Sequence, residues 1–210
     1  MHRNPITPLK IVVLISGNGS TLQAIINAIV KGLPAQIAAV ISNRPDAYGL
    51  ERAKKAGIPA YVLSLKDIPS QVDLLQPDLI VLAGFMQILP PEIIDHWGTE
   101  RIINLHPSLL PKYCGLNTYE RVIEAQEKQH GSTIHFVTKE LDKGPIIAQM
   151  ALDILPEDTV DSLRARIHAL EHKLYPAVID WFAHGRVQLI NGHVYFDNQQ
   201  LPENGYNKLT

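Results

Sequence analysis

The chain has 210 residues, of which 46% are hydrophobic and 19% charged, and its formal net charge is −2. This is the composition of an ordinary globular protein, and the length favours one domain. Without excess positive charge the chain has no field that would hold nucleic acid. The single cysteine, Cys114, cannot form an internal disulfide, which fits a reducing compartment. Residues 1–5 lack a signal peptide's apolar run, and no run approaches the ~20 residues that span a bilayer, so we expect a cytoplasmic protein without membrane contact.

Short runs of continuous apolar residues recur along the first half of the chain, at 11–15, 37–41, 60–63, 79–83 and 102–105. Continuous rather than alternating apolarity is typical of strands covered on both faces, hence of a parallel sheet. Helical spacing of Leu22, Ile25 and Ile29 predicts a helix that ends before Gly32, and a second helix is predicted near 50–56. Strands alternating with helices indicate right-handed crossovers.

The second half departs from this alternation. Residues 132–137 and 146–154 are typical of longer strands. Asp158 or Thr159 can cap a long helix, in which Pro176 should introduce a kink. We therefore predict an α/β fold: a doubly wound, mostly parallel Rossmann-like sheet with mixed strands and a long helix in the C-terminal half.

A hairpin and a polar tail follow the long helix. Asn191-Gly192 is a two-residue turn between predicted strands at 188–190 and 193–196. Trp181 is expected in the core or in a subunit contact. Residues after Gln199 are polar, and we expect them to be loose.

A glycine turn, Ser16-Gly17-Asn18-Gly19-Ser20-Thr21, lies between the first strand and the first helix. Backbone N–H groups and the positive helix end bind anions at such a turn. Two dinucleotide-binding features are missing, because Leu22 replaces the third glycine and the second strand ends in Ser42-Asn43 instead of an acidic residue. Hydroxyl groups in the turn suit a terminal phosphate monoester. On this motif alone, a tight turn without a ligand is the alternative.

A second group of polar residues follows the apolar run at 102–105. Asn104 and His106 project to the same side of the predicted strand, at the end where α/β folds bind ligands. An asparagine amide donates to an oxyanion, and an imidazole relays protons. Asp142, in a loop between two strands, would hold the imidazole. This trio indicates chemistry at a carbonyl carbon, although an isolated histidine and aspartate are more simply a loop cap and a turn residue.

The string Asn104-Leu105-His106-Pro107-Ser108-Leu109-Leu110-Pro111 resembles the signature of the folate-dependent formyltransferase family. The resemblance runs from residue 11 to about 206 and is greatest to the members that act on glycinamide ribonucleotide. It includes Ser16-Gly17-Asn18-Gly19-Ser20, Leu82-Ala83-Gly84-Phe85-Met86, His130-Gly131, His135-Phe136-Val137-Thr138, Glu140-Leu141-Asp142 and Gly144-Pro145. It implies a single formyltransferase domain over 1–210, with a phosphate-binding half at about 8–100 and a catalytic and folate-binding half at about 101–200.

The resemblance also implies the reaction and its residues. The formyl group of 10-formyltetrahydrofolate would pass to the amine of glycinamide ribonucleotide in purine biosynthesis, by direct attack and without a metal. Asn104 and protonated His106 would stabilise the oxyanion, and Asp142 would aid proton transfer. The remaining implied roles are phosphate binding by Gly19, Ser20 and Thr21, ribose binding by Glu171, support by His135 and Thr133, and folate binding by Met86, Gln87, Ile88, Leu89, Asn104, Val137, Glu140 and Asp142. The expected partners are these two small molecules, and the chain is expected to be a monomer or a homodimer.

Several positions depart from the family pattern. Gln87 stands where an arginine is usual, and the stretch 63–77 is short, having lost most of a crossover helix. Both changes remove positive charge that would meet the glutamate tail of folate. Lys143 replaces a glycine, and Cys114 and Asn117 replace a proline and a histidine in the substrate loop.

Other functions fit parts of the sequence. His168-Ala169-Leu170-Glu171-His172 matches the inverted zinc-peptidase motif, but a zinc hydrolase needs a further ligand, for which Glu203 is a weak candidate. A formyltetrahydrofolate hydrolase or a methionyl-tRNA formyltransferase would carry an additional domain. A nucleotide-binding regulatory protein without activity is disfavoured by the intact trio.

Overall fold

The computed structural model describes residues 7–209. Residues 1–5, where the sequence has no signal-peptide pattern, lie outside them. Seven strands form the main sheet in the order β3-β2-β1-β4-β5-β6-β7. Its strands are β1 (Leu9–Ile15), β2 (Ala35–Ser42), β3 (Ala60–Val62), β4 (Leu79–Leu82), β5 (Ile102–His106), β6 (Gln129–Phe136) and β7 (Ile146–Asp153). The first five are parallel, and β6 runs antiparallel to both of its neighbours, β5 and β7, which confirms the predicted mixed sheet.

Six helices accompany the sheet: α1 (Ser20–Val30), α2 (Tyr48–Lys55), α3 (Ile68–Leu75), α4 (Pro91–Trp97), α5 (Thr118–Glu124) and α6 (Val160–Ala183). The stretch 63–77, which was expected to have lost most of a crossover helix, carries the eight-residue α3, and the extent of the loss stays a prediction. Ile68 and Val72 lie one turn apart and are both buried in the core on this side of the sheet. This packing stabilises a helix that is too short to be stable alone.

β1 shows why the strand runs are continuously apolar. Ile11 and Val13 pack in the core that contains α1 and α6, whereas Val12 and Leu14 pack in a second core with α3 and α4. Successive side chains of a strand point to opposite faces, so a strand covered on both sides needs an apolar residue at every position.

α6 begins with a capping box. The Thr159 side chain accepts from the Ser162 N–H, and the Ser162 side chain accepts from the Thr159 N–H. The helix continues through Pro176 to Ala183 without a break, and the kink stays a prediction. Trp181 is 6% exposed and belongs to the first core.

The end of the chain is docked, contrary to the expectation of a loose tail. After the predicted hairpin, which forms β8 (Val187–Ile190) and β9 (His193–Phe196), a short β10 (Gln199–Gln200) completes a second sheet. Tyr206 then pairs with β7: its N–H donates to the Ile147 carbonyl at 2.9 Å, and its carbonyl accepts from the Gln149 N–H at 3.0 Å. Its ring lies 5.0 Å from that of Trp181. These backbone hydrogen bonds and the packing of Leu201, Tyr206 and Leu209 against the first core hold the tail, although most of its residues are polar.

Within residues 7–209, none of the helices is long and apolar enough to cross a membrane.

Candidate active site

His106 and Asp142 meet where β5 ends. His106 is 6% exposed, and its Nδ1 lies 3.4 Å from Oδ2 of Asp142, which comes from the loop between β6 and β7. On the other side of the ring, Nε2 donates to the Tyr113 carbonyl at 2.9 Å. Nε2 therefore carries a proton, while Nδ1 faces a carboxylate at a distance longer than a direct hydrogen bond. The ring is held in place to act as a donor at Nδ1.

Asn104 is oriented by His135 on the neighbouring strand. Nδ1 of His135 donates to the Phe136 carbonyl at 2.9 Å, so Nε2 of the neutral ring is an acceptor. Nδ2 of Asn104 donates to that nitrogen at 3.1 Å. Burial lowers the pKa of His135, which favours the neutral ring. The second N–H of the Asn104 amide can then donate to a ligand oxygen.

The loop that carries Asp142 is confined from two sides. Asp142 has a φ of 54°, in the left-handed region that aspartate adopts more readily than most residues. Its Oδ2 accepts from the Gly115 N–H at 2.8 Å. Two residues later, Gly144 packs so closely that a Cβ would overlap the Phe136 carbonyl oxygen. The tight packing of the loop keeps the carboxylate beside His106.

Two side chains, one from β6 and one from β7, hydrogen-bond to the backbone of the loop that follows β5. The Thr133 hydroxyl donates to the Ser108 carbonyl at 2.6 Å and accepts from the Leu110 N–H at 3.1 Å. Gln149 Nε2 donates to the Leu110 carbonyl at 2.8 Å. The expected support role of Thr133 stays a prediction, and Gln149 was not predicted to contact this loop. Its partner is a backbone carbonyl, and such a contact leaves no pattern in the sequence.

The glycine turn leads directly into α1. Gly19 has a φ of 73°, and a Cβ there would lie 2.7 Å from the Cα of Gly49. The N–H groups of Gly19, Ser20 and Thr21 meet no protein acceptor within the described part of the chain. Unpaired N–H groups at a helix start can bind an anion, and phosphate binding by this turn stays a prediction.

Ser16 joins this turn to the loop that follows β4. Its hydroxyl donates to Oδ1 of Asn43 at 2.6 Å and accepts from the Met86 N–H at 2.8 Å. Its own N–H donates to the Gly84 carbonyl at 3.0 Å. Sequence reasoning treated Asn43 only as a missing carboxylate, so this connection was missed.

Glu171 is buried on α6, with 4% of the residue exposed. The Ser132 hydroxyl donates to its Oε1 at 2.7 Å. Burial raises the pKa of Glu171 to about 7, only partly opposed by the hydrogen bond from Ser132. Burial and the nearby Glu171 also raise the pKa of Tyr119. The expected ribose contact of Glu171 stays a prediction.

The residues expected to bind folate divide into exposed and buried groups. Met86 and Ile88 are 67% and 66% exposed, and Gln87 between them is also exposed. Leu141, across in the Asp142 loop, is 49% exposed. Leu89 instead lies in the second core at 5% exposure, so its side chain supports the loop from below. The exposed side chains are free to contact a ligand, and folate binding by these residues stays a prediction.

The departures in the Asp142 loop have local partners. Lys143 Nζ lies 2.9 Å from Oε2 of Glu140, so the added cation faces an acid of its own loop. Val137 is partly buried against the second core. Cys114 Sγ lies 3.4 Å from the Pro111 carbonyl, and Asn117 precedes α5 with a φ of 57°.

The histidines of α6 do not assemble a zinc site. Among residues 7–209 there is no group of three side chains that could hold a metal ion. Glu171, between His168 and His172, is hydrogen-bonded to Ser132, and Glu203 is exposed in the tail.

Comparison with known proteins decides the family. Residues 9–179 match the formyl transferase family. The chain belongs to this family. Within it, the chain is 48% identical to a phosphoribosylglycinamide formyltransferase of Haemophilus influenzae over 208 residues, covering 94% of this chain and 98% of that protein.

Solved structures of the formyl transferase family agree with this assignment. A phosphoribosylglycinamide formyltransferase from Coxiella burnetii, solved in complex with CHES, is similar with a TM-score of 0.92 and 51% identity, covering 95% of this chain and 99% of that one. A formyltetrahydrofolate deformylase from Pseudomonas syringae is similar with a TM-score of 0.86 and 25% identity, covering 92% of this chain and 67% of that one. The fold is thus common to transferases and deformylases, and identity is higher to the transferase.

Proposed function

We propose that the chain transfers the formyl group of 10-formyltetrahydrofolate to the amine of glycinamide ribonucleotide in purine biosynthesis, in the cytoplasm, as a monomer or a homodimer. The observation that carries the proposal is the meeting of Asn104, His106 and Asp142 at the end of β5. The names of the similar proteins support the same substrate. The glycine turn supplies N–H groups for the phosphate.

The geometry supports direct attack on the formyl carbon. A C–N bond forms between the substrate amine and that carbon, the carbonyl oxygen becomes an oxyanion, and the bond to N10 of the folate then breaks. Asn104 would donate its second N–H to the oxyanion. Nε2 of His106 is committed to Tyr113, so Nδ1 is the donor that faces the reaction.

Asp142 would complete the proton transfer. Its carboxylate lies 3.4 Å from Nδ1 of His106, longer than a direct hydrogen bond, which leaves the Nδ1 proton available to the oxyanion. The amine loses a proton as the C–N bond forms, and N10 gains one as it leaves. The buried Asp142 carboxylate beside His106 would relay that proton.

An absorbance assay of tetrahydrofolate release, with and without glycinamide ribonucleotide and with a chelator present, tests the proposal. We expect release only when the ribonucleotide is present, together with formylated product in equal amount. D142N keeps the shape and an acceptor for the Gly115 N–H but removes the base, so turnover should fall about 10²–10⁴-fold.

The matched control is D161N, which alters an aspartate on α6 that is 89% exposed, and it should keep the wild-type rate. Release without ribonucleotide would favour a deformylase instead. Wild-type turnover in D142N would refute the assigned role of Asp142.

A further inference from the structure

Arg52 of helix α2 hydrogen-bonds to the glycine turn. Its Nε donates to the Asn18 carbonyl and its Nη2 to Asn18 Oδ1, both at 2.9 Å. Nη1 reaches Oε1 of Gln23 on α1 at 3.4 Å. The guanidinium lies 4.9 Å from the centre of the Tyr48 ring, which fixes it from the other side. One side chain thus holds the turn and both flanking helices.

These contacts fix the direction of the N–H groups in the turn. In a trans peptide the C=O and the following N–H point in opposite directions. The Gly17 carbonyl accepts from the Gly49 N–H at 3.1 Å, and the Asn18 carbonyl accepts from Arg52. Both carbonyls therefore face α2, and the N–H groups of Asn18 and Gly19 face away from it. The turn is held in the form of an anion-binding nest.

Arg52 also places a positive charge next to the start of α1. Arg52 and Ser20 line the same groove, which has a volume of ≈ 520 Å³. His172 and Lys173 of α6 line its other side. A cation behind the turn adds to the positive end of the helix dipole in attracting an anion.

We propose that Arg52 is a positioning residue that makes the enzyme select a phosphorylated amine. Arg52 acts through Asn18 and the N–H groups of the turn, and its charge adds to their attraction for the phosphate. The inference rests on the proposed function, since it assumes that the turn binds the substrate's phosphate.

The experiment compares glycinamide ribonucleotide with its dephosphorylated riboside as formyl acceptors. In R52Q we expect KM for the ribonucleotide to rise roughly 10- to 100-fold, because hydrogen bonds to a charged donor are lost. The value of kcat should change little, and kcat/KM for the riboside should stay the same. Inorganic phosphate, used as a competitive inhibitor, should bind more weakly by the same factor.

The control variant is K55Q, since Lys55 lies one turn further along α2 and also faces the Tyr48 ring, at 5.7 Å, but does not touch the turn. K55Q should behave as wild type. R52K keeps the charge but loses the forked donor and should give an intermediate KM. If R52Q does not fold, R52K tests the inference by the same measurement, the ratio of kcat/KM for the ribonucleotide to kcat/KM for the riboside.

One outcome would overturn the inference: a ratio of ribonucleotide to riboside activity that is unchanged from wild type in the folded Arg52 variants. If both activities fall by the same factor, the ratio is also unchanged, and the defect is a general structural one. Failure of the proposed function is distinguishable, because wild-type enzyme would then formylate neither acceptor.

Discussion

Each of the three side chains proposed to take part in the reaction is oriented by a partner from elsewhere in the chain. His106 is held by the carbonyl of Tyr113, Asn104 by His135, and Asp142 by the N–H of Gly115. Two of these three partners are backbone groups. Substitution at Tyr113 therefore preserves the contact as long as the backbone keeps its path. Gly115 has a φ of 78°, so a side chain there would strain the backbone. His135 contributes through its own side chain.

Glu171 gives a pH prediction at the same scale. Because its pKa is raised from 4.5 to about 7 in the folded state, the folded protein binds more protons than the unfolded chain between those values. Stability from this group is full below pH 4.5 and is lost as pH rises through 7. Urea unfolding at pH 4.5, 6, 7 and 8 should show the wild type losing about 3 kcal/mol of unfolding free energy relative to E171Q. The other titratable groups are the same in wild type and E171Q. A difference in unfolding free energy between the two proteins that stays constant with pH would therefore contradict the prediction.

At the scale of elements, the loop between β6 and β7 depends on Gly144. A methyl group there would overlap the Phe136 carbonyl, so G144A must push the loop and Asp142 outwards. We expect kcat to fall by more than 10-fold, since small misplacements of a reacting group are costly, and stability to fall by about 1–3 kcal/mol. Steady-state kinetics and thermal unfolding measure the two effects.

G185A is the control for this loop. Gly185 has a φ of 66° and open space around it, so alanine should cost some stability through backbone strain yet leave kcat unchanged. Wild-type kcat in G144A would show that the position of Asp142 does not depend on the packing of the loop.

The sequence predicted the long or continuously apolar elements well and the short ones poorly. β1 could be recognised because both of its faces are buried, and α6 because of its cap and length. α4 and α5 have seven residues each, too few for helical periodicity to stand out, and they were missed. At the site, the signature string identified the chemistry, but Gln149 and Asn43 act through pairings that only the fold creates.

At the scale of the whole molecule, the docked tail links the chain's last described segment to the sheet. Tyr206 packs against Trp181 and Phe196, with ring centres 5.0 and 4.9 Å away. Y206A should lower the unfolding free energy by about 1–3 kcal/mol, since two aromatic contacts are lost. Y195A, which removes a tyrosine of β9 outside this cluster, should cost less. Equal effects of the two changes in urea unfolding would refute a specific role for Tyr206.

The hydrogen bonds of the Ser16 hydroxyl would couple the binding of the two ligands. This hydroxyl stands between the turn that would hold the phosphate and the Met86 loop that would border the folate. A ligand that restrains one of these segments would also restrain the other through this hydroxyl, so the second ligand would lose less conformational entropy on binding. We therefore expect each ligand to tighten the other's binding, and by thermodynamic reciprocity the factor is the same whichever ligand arrives first.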